Sequence, residues 1–344
     1  MEELRALLAA AYKSHPNMEI RDAVKFIYQN EFGPGHIIKD RGDSLRRLVS
    51  ELKTVDAGEE VPGEPIGNGL FRLSLRYAKG RLSPETINAM LINTANNVAG
   101  RRGRFAEKLK LLKMLPFDGM ECEKYLSAYE KAGFPAVSHS EIYRFEYSPA
   151  YRIIDDRFVR FLPVFETVDR LMAGGKPVVC AIDGYCASGK TTLAELMESV
   201  YDCSVFHMDN FFLPPDMKTA ERLKIPGGNV HWERFREEVA LPLSKGDRVT
   251  FRRYDCGTGT FLPKKTVLPE KLSVVEGSYA LHPELRGFYT LRIMLKLPYA
   301  DRVERIRRRN GEELLKRFVK EWIPLENRYF EACGVEKCCD IEID

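Results

Sequence analysis

Hydrophobic positions along the chain follow two different rhythms. Leu4, Leu7, Leu8 and Ala11 fall at helical spacing, and Leu45, Leu48, Val49 and Leu52 repeat it, so the first 150 residues read as a compact, mainly helical domain. Gly33-Pro34-Gly35 and Pro62-Gly63-Glu64-Pro65 interrupt the pattern with turns and exclude one long helix. Polar and aromatic residues crowd 138–144 and 147–152 without periodicity, as in a packed loop or a site. A helix is expected over 156–172, ended by Ala173-Gly174-Gly175-Lys176-Pro177. Beyond it, short apolar runs at 178–182, 204–208, 272–275 and 291–297 alternate with helical segments, the pattern of βαβ units around a parallel sheet. The change of rhythm predicts a mainly helical domain over 1–155 and an α/β domain over 156–344 led by the helix 156–172.

Length agrees with two domains, because 344 residues exceed the roughly 250 that one core usually serves. With 44% hydrophobic and 30% charged residues the chain can bury ordinary cores, and it lacks the charge excess of a disordered one. Its 53 basic and 50 acidic residues nearly cancel, which gives little reason to expect a nucleic-acid partner and favours a small-molecule one. No apolar run approaches the roughly 18 residues of a membrane span. Met1-Glu2-Glu3-Leu4-Arg5 places acid where a signal peptide carries positive charge, so a cytoplasmic protein is expected. The cysteines form no pairable framework and no zinc spacing, consistent with reduced thiols; the oligomeric state stays open.

One segment changes the picture. Gly184-Tyr185-Cys186-Ala187-Ser188-Gly189-Lys190-Thr191 fits the phosphate loop G-x-x-x-x-G-K-[ST], with an apolar strand before it and a helical segment from Thr192 after it. Such a loop turns backbone N–H groups onto the phosphates of a nucleotide at a helix N-terminus. Gly184, Ala187, Ser188, Gly189, Lys190, Thr191 and Thr192 are therefore the expected ATP-binding positions, Lys190 neutralising phosphate and Thr191 ligating Mg2+. Two further strands end in acids. Asp209 is placed either to take the proton of an attacking hydroxyl or to cap the next helix, and Glu276 either to hold Mg2+ through water or to serve structure. On the expected helix after Asp301, Arg302, Arg305 and Arg309 share a face that Arg308 borders; they are a catalytic lid or a solvated stripe.

From Val178 onward the sequence resembles the uridine kinase-like branch of phosphate-loop kinases, which includes nucleoside, pantothenate and nicotinamide riboside kinases. The resemblance rests on Asp209-Asn210-Phe211-Phe212, on 226–235 around His231 and Trp232, on 249–255 ending in Tyr254-Asp255, on Val275-Glu276-Gly277 and on the arginine run. It implies a P-loop NTPase domain with a parallel sheet and flanking helices. It also implies Asp209 as catalytic base alongside Lys190, Arg305 and Arg309, and an acceptor pocket near Tyr254, Asp255, His231 and Trp232. Asn229-Val230-His231 stands where uridine kinases commonly carry Asp-His-Pro, and Cys256 where an aromatic is common. The two aromatics, Trp232 and Tyr254, either stack on a planar base or belong to a core.

The first half matches no family of stated activity. Residues 30–36 and the group His139, Glu141, Tyr143, Arg144 and Arg152 form a second site, a lid, a protein-binding face or plain structure; their histidines have no metal-ligand spacing. The expected activity is ATP- and Mg2+-dependent phosphorylation of a hydroxyl on a small molecule, foremost a nucleoside. Its rivals are a kinase of another vitamin or sugar and a nucleotide-regulated adaptor for protein or RNA.

Overall fold

The computed structural model describes all residues, 1–344, as two compact units, Met1–Leu162 and Pro163–Asp344. In the first, helices α1 (Glu2–Ser14), α2 (Ile20–Phe32) and α3 (Arg41–Thr54) form where the apolar spacing places them, with Leu4, Leu8 and Ala11 of α1 and Leu48 and Leu52 of α3 turned inward. The helix ends have local causes: Asp40 caps α3 by accepting the Asp43 N–H, and Glu19 and Asp22 form a reciprocal capping box on α2. Three more helices follow: α4 (Pro84–Asn97), α5 (Arg102–Leu109) and α6 (Gly119–Lys131).

The unit is mainly helical, as expected, and it also holds a small sheet. Strands β1 (Gly63–Gly67), β2 (Leu70–Ser74) and β3 (Tyr151–Asp155) make an antiparallel sheet in the order β1-β2-β3. β2 is buried along its whole length, Arg72 included, and pairs with β3 from Leu70↔Asp155 to Ser74↔Tyr151. Strands of five residues are too short to leave a clear period, and β2 and β3 pair across some eighty residues. The aperiodic stretch resolves into α7 (Glu141–Tyr147), capped by Ser140, followed by β3.

The helix expected over 156–172 is in fact two, Arg157–Arg160 and α8 (Leu162–Ala173). Pro163 explains the break, since proline has no N–H to continue a helix and suits a first turn.

The second unit is α/β. Strands β4 (Val178–Gly184), β5 (Cys203–His207), β8 (Leu272–Glu276), β9 (Leu291–Leu295) and β10 (Ile341–Ile343) form a parallel sheet in the order β10-β9-β4-β8-β5. The hairpin β6 (Val249–Asp255) and β7 (Thr260–Val267) stands apart from it. Central β4 and β8 are wholly buried and read as continuous apolar runs, whereas the edge strand β5 alternates. The chain leaves β4 through α9 (Lys190–Val200) toward β5, then leaves β8 toward β9 on the other side of β4. The two connections part above the adjacent β4 and β8 ends, and such a divergence opens a crevice at the carboxyl edge of a parallel sheet. The unit also carries the longer helices α10 (Tyr299–Arg317) and α11 (Ile323–Ala332).

Candidate active site

The crevice begins with the turn from β4 into α9. Gly184 has φ +149, and a Cβ there would run into the Leu295 carbonyl of β9, so only glycine lets the loop leave the sheet this close to its neighbour. Ala187 (φ +60) and Gly189 (φ +106), the residue capping α9, add left-handed turns. Ser188 is fully buried beneath the loop, and Thr191 and Thr192 lie on the first turn of the helix. Lys190 folds back so that its Nζ donates to the carbonyls of Gly184 (2.6 Å) and Tyr185 (3.0 Å). The ammonium thus sits inside the loop that its sequence motif predicts.

Sheet register brings the acids to this loop. Glu276 at the end of β8 lies opposite Ile182 of β4 on one side and His207 of β5 on the other. The buried Glu276 carboxylate receives the Thr191 hydroxyl on Oε2 (3.3 Å) and meets His207 Nδ1 with Oε1 (2.6 Å). The hydrogen bond to Glu276 raises the His207 pKa above its ordinary 6.5 despite some burial. Thr191 Oγ1 and Glu276 are hard oxygen donors side by side at the loop, a donor set that suits Mg2+ rather than a softer metal.

Asp209 lies in a short 3₁₀ turn, Met208–Phe211, just past β5. Its carboxylate accepts no hydrogen bond from the protein and caps nothing, since the turn carries no side-chain cap. Gly277 (φ +132) makes room for it: a Cβ there would press on Met208 at 3.0 Å and lie 3.6 Å from Asp209 Oδ1. The carboxylate is open to solvent yet hemmed in by protein, and this desolvation, reinforced by the Glu276 charge and opposed by Lys190, pushes its pKa up. An unbonded carboxylate of raised pKa beside a phosphate loop has the properties of a proton acceptor.

The arginines separate. Arg305 donates to the Ala187 carbonyl at 3.2 Å and therefore touches the loop, while Arg309 is exposed and bonds its neighbour Asn310 at 2.8 Å. Arg302 is buried, its guanidinium 4.3 Å from the centre of the Tyr185 ring, with Nε and Nη1 unpartnered. Their helix breaks at Gly311, whose φ of 78 and ψ of 170 are not helical.

Of the acceptor candidates, Tyr254 is buried on β6 against Phe261 (5.2 Å between ring centres), and Asp255 closes a turn by accepting the N–H groups of Gly257 (2.8 Å) and Thr258 (3.4 Å). His231 accepts the Arg234 N–H at 3.3 Å, and Trp232 stacks on His282 at 5.1 Å. None of these four bonds to the phosphate loop or to Asp209. The hairpin tip does come near, since Asp209 contributes to the raised pKa of the Cys256 thiol, after burial.

Two supporting carboxylates lie outside the residues that the sequence reading singled out. Glu326, on α11, accepts the loop N–H of Cys186 (3.0 Å) and the Ser278 hydroxyl (2.9 Å). Asp183, fully buried, accepts from the Leu281 N–H (2.9 Å) and the Tyr329 hydroxyl (2.8 Å), tying β4 to the segment after β8 and to α11. Asp183 was visible as the strand-end acid before Gly184; Glu326 lies 140 residues from its partner and was not.

No family model matches the chain. Among solved structures it is similar to "a Possible Uridine Kinase from Bacillus stearothermophilus", at 24% identity and TM-score 0.40 over 49% of this chain and 89% of that one. A "putative fructose transport system kinase from Silicibacter sp. TM1040" shares 22% identity at TM-score 0.39, over 49% of this chain and 90% of its own. TT1252 from Thermus thermophilus shares 18% at TM-score 0.30, over 48% and 87%. No helix is long and apolar enough to cross a membrane.

Proposed function

We propose that the chain is an ATP- and Mg2+-dependent phosphotransferase that phosphorylates a hydroxyl of a small molecule, with a nucleoside as the leading acceptor class. The observation that carries this reading is the meeting of Lys190, Thr191, Glu276 and an unbonded Asp209 at the ends of three neighbouring strands. Lys190 and the loop amides hold the triphosphate. Bound Mg2+, held by Thr191 and Glu276, supplies positive charge against the phosphate oxygens. Asp209 takes the acceptor proton as the acceptor oxygen bonds to the γ-phosphorus; the bond from that phosphorus to the bridging oxygen breaks and ADP leaves. Arg305, already on the loop, contributes charge to the transferring group. The nucleoside assignment rests on the sequence resemblance alone.

The test is ATP consumption by the full chain across nucleosides, vitamins and sugars, run beside Lys190→Ala. One acceptor should stand out, and the variant should lose turnover by orders of magnitude while its melting temperature holds. Equal turnover and nucleotide affinity in the variant would remove the phosphate-loop assignment.

A further inference from the structure

The first unit holds a cavity of about 170 Å³ between α2 and β3, with Lys25, Glu51, His139 and Tyr151 among its polar lining and Ile37, Pro149 and Ile153 as an apolar wall; the Glu51 carboxylate is paired with Arg152 at 2.7 Å. It is smaller than the roughly 300–1,000 Å³ of pockets for drug-sized ligands.

Its polar wall is built rather than incidental. Asp22 is buried, and although burial opposes ionisation, hydrogen bonds from His139 and Ser140 hold its pKa below the ordinary value. Asp22 Oδ1 lies 2.9 Å from His139 Nδ1, and His139 Nε2 lies 2.7 Å from the Tyr151 hydroxyl. With Nδ1–H donated to the carboxylate, Nε2 is left to accept the Tyr151 O–H. Gln29 Nε2 donates to the same tyrosine oxygen at 3.1 Å. Tyr143 stacks on the His139 ring at 4.2 Å, and the Arg72 guanidinium, held by Gln29 and Glu64, lies 4.7 Å from the centre of the Tyr151 ring. Each group of this chain is fixed by the next.

Lys25 is the exception. Its half-buried ammonium donates to the Val137 carbonyl at 3.2 Å and has no carboxylate within ion-pairing distance. Burial, then the charges of Arg72 and Arg144, draw its pKa down to about 8, with Asp22 opposing and Arg21 adding a smaller push. A cation held among cations on a partly apolar wall, with donors to spare, lacks a counter-charge that other buried ammonium groups find within the protein.

We infer that this cavity binds a small organic anion, the acid group pairing with the Lys25 ammonium and the uncharged part lying against Ile37, Pro149 and Ile153. A phosphate ester and a carboxylate share this chemistry. The Asp22–His139–Tyr151 chain fixes the polar wall beside Lys25, the tyrosine proton being committed to His139 and its oxygen accepting from Gln29.

The experiment uses the full chain carrying Lys190→Ala, so that the phosphate loop does not dominate anion binding and the outcome is independent of the phosphotransferase reading. Butyl phosphate, butyrate and butanol are titrated by calorimetry into that protein and into the same protein with Lys25→Gln added. Saturable binding of at least one acid, none of butanol, and a tenfold or greater loss with Lys25→Gln at matched melting temperature is expected; whichever acid binds names the source. Butyrate and the Arg72 guanidinium stay charged between pH 6.5 and 9.5, His36 and His139 stay neutral and Asp22 stays ionised. Of these groups Lys25 alone changes charge there, so affinity for butyrate should fall as pH rises through 8; butyl phosphate, whose second ionisation lies at about 6, is followed from pH 7.5 upward and should show the same fall. Absence of saturable binding by either acid, or undiminished affinity in folded Lys25→Gln, overturns the inference. If Lys25→Gln does not fold, affinity that is level across that pH range in the Lys25-containing protein overturns it instead.

Discussion

Asp209 and His207 stand two residues apart and face opposite demands. A carboxylate without a hydrogen-bond donor keeps its basicity, so Asp209→Asn should lower kcat about 10²-fold or more with ATP affinity little altered, measured by steady-state kinetics and nucleotide titration. A loss of only a few-fold would leave Asp209 without a catalytic part. His207 acts through Glu276. Its pKa is raised by that carboxylate, so protonated His207 competes with a cation for Glu276 at low pH and releases it as pH rises through a value above 6.5. The ion pair stabilises the fold fully below 6.5 and loses that contribution over the same rise. Apparent Mg2+ affinity should therefore increase between pH 6 and 8, and His207→Asn should flatten the increase. The Mg2+ dependence of turnover at several pH values checks it, and identical profiles would separate His207 from the metal-binding acid.

Among the elements, α10 shows how one periodic stripe divides into different environments. The i, i+3, i+4 spacing put Arg302, Arg305 and Arg309 on one face, but Arg302 is buried against Tyr185, Arg305 reaches Ala187 and Arg309 reaches only Asn310. If contact with the loop matters for transfer, Arg305→Ala should lower kcat more than it raises the KM for ATP, and Arg309→Ala should do much less. Equal effects of the two would point to a mobile helix that carries both arginines inward, and the Gly311 break is where such a motion would hinge. The loop itself was legible from Gly184 to Thr191 because its backbone needs glycine at fixed positions. Glu326 was illegible, since only the fold puts α11 under the Cys186 amide.

At the scale of the molecule, each unit has its own core. One is built on Phe26, Ile27, Leu8 and Phe105, the other on Phe206, Phe211, Phe235 and Tyr329. The loop, Asp209, Glu276 and Arg305 all belong to the second. Residues 156–344 expressed alone should therefore bind ATP with Mg2+ at an affinity close to that of the full chain, as calorimetry would show. A folded fragment that does not bind would mean that the first unit takes part in nucleotide binding.

Local chemistry was enough to read much of this from the chain. Helical spacing marked α1 and α3, apolar runs marked the buried strands, and the glycines and lysine of the loop marked where phosphate would sit, because each depends on neighbours a few residues away. The three-stranded sheet, the pairing of Glu276 with His207 and the support from Glu326 depend on strand order and register. Those are decided by packing between segments up to 140 residues apart, and no local pattern encodes them. The cavity beside Lys25 is the clearest case: His139 was visible as chemistry, but only the fold joined it to Asp22 and Tyr151 and left Lys25 without a counter-charge.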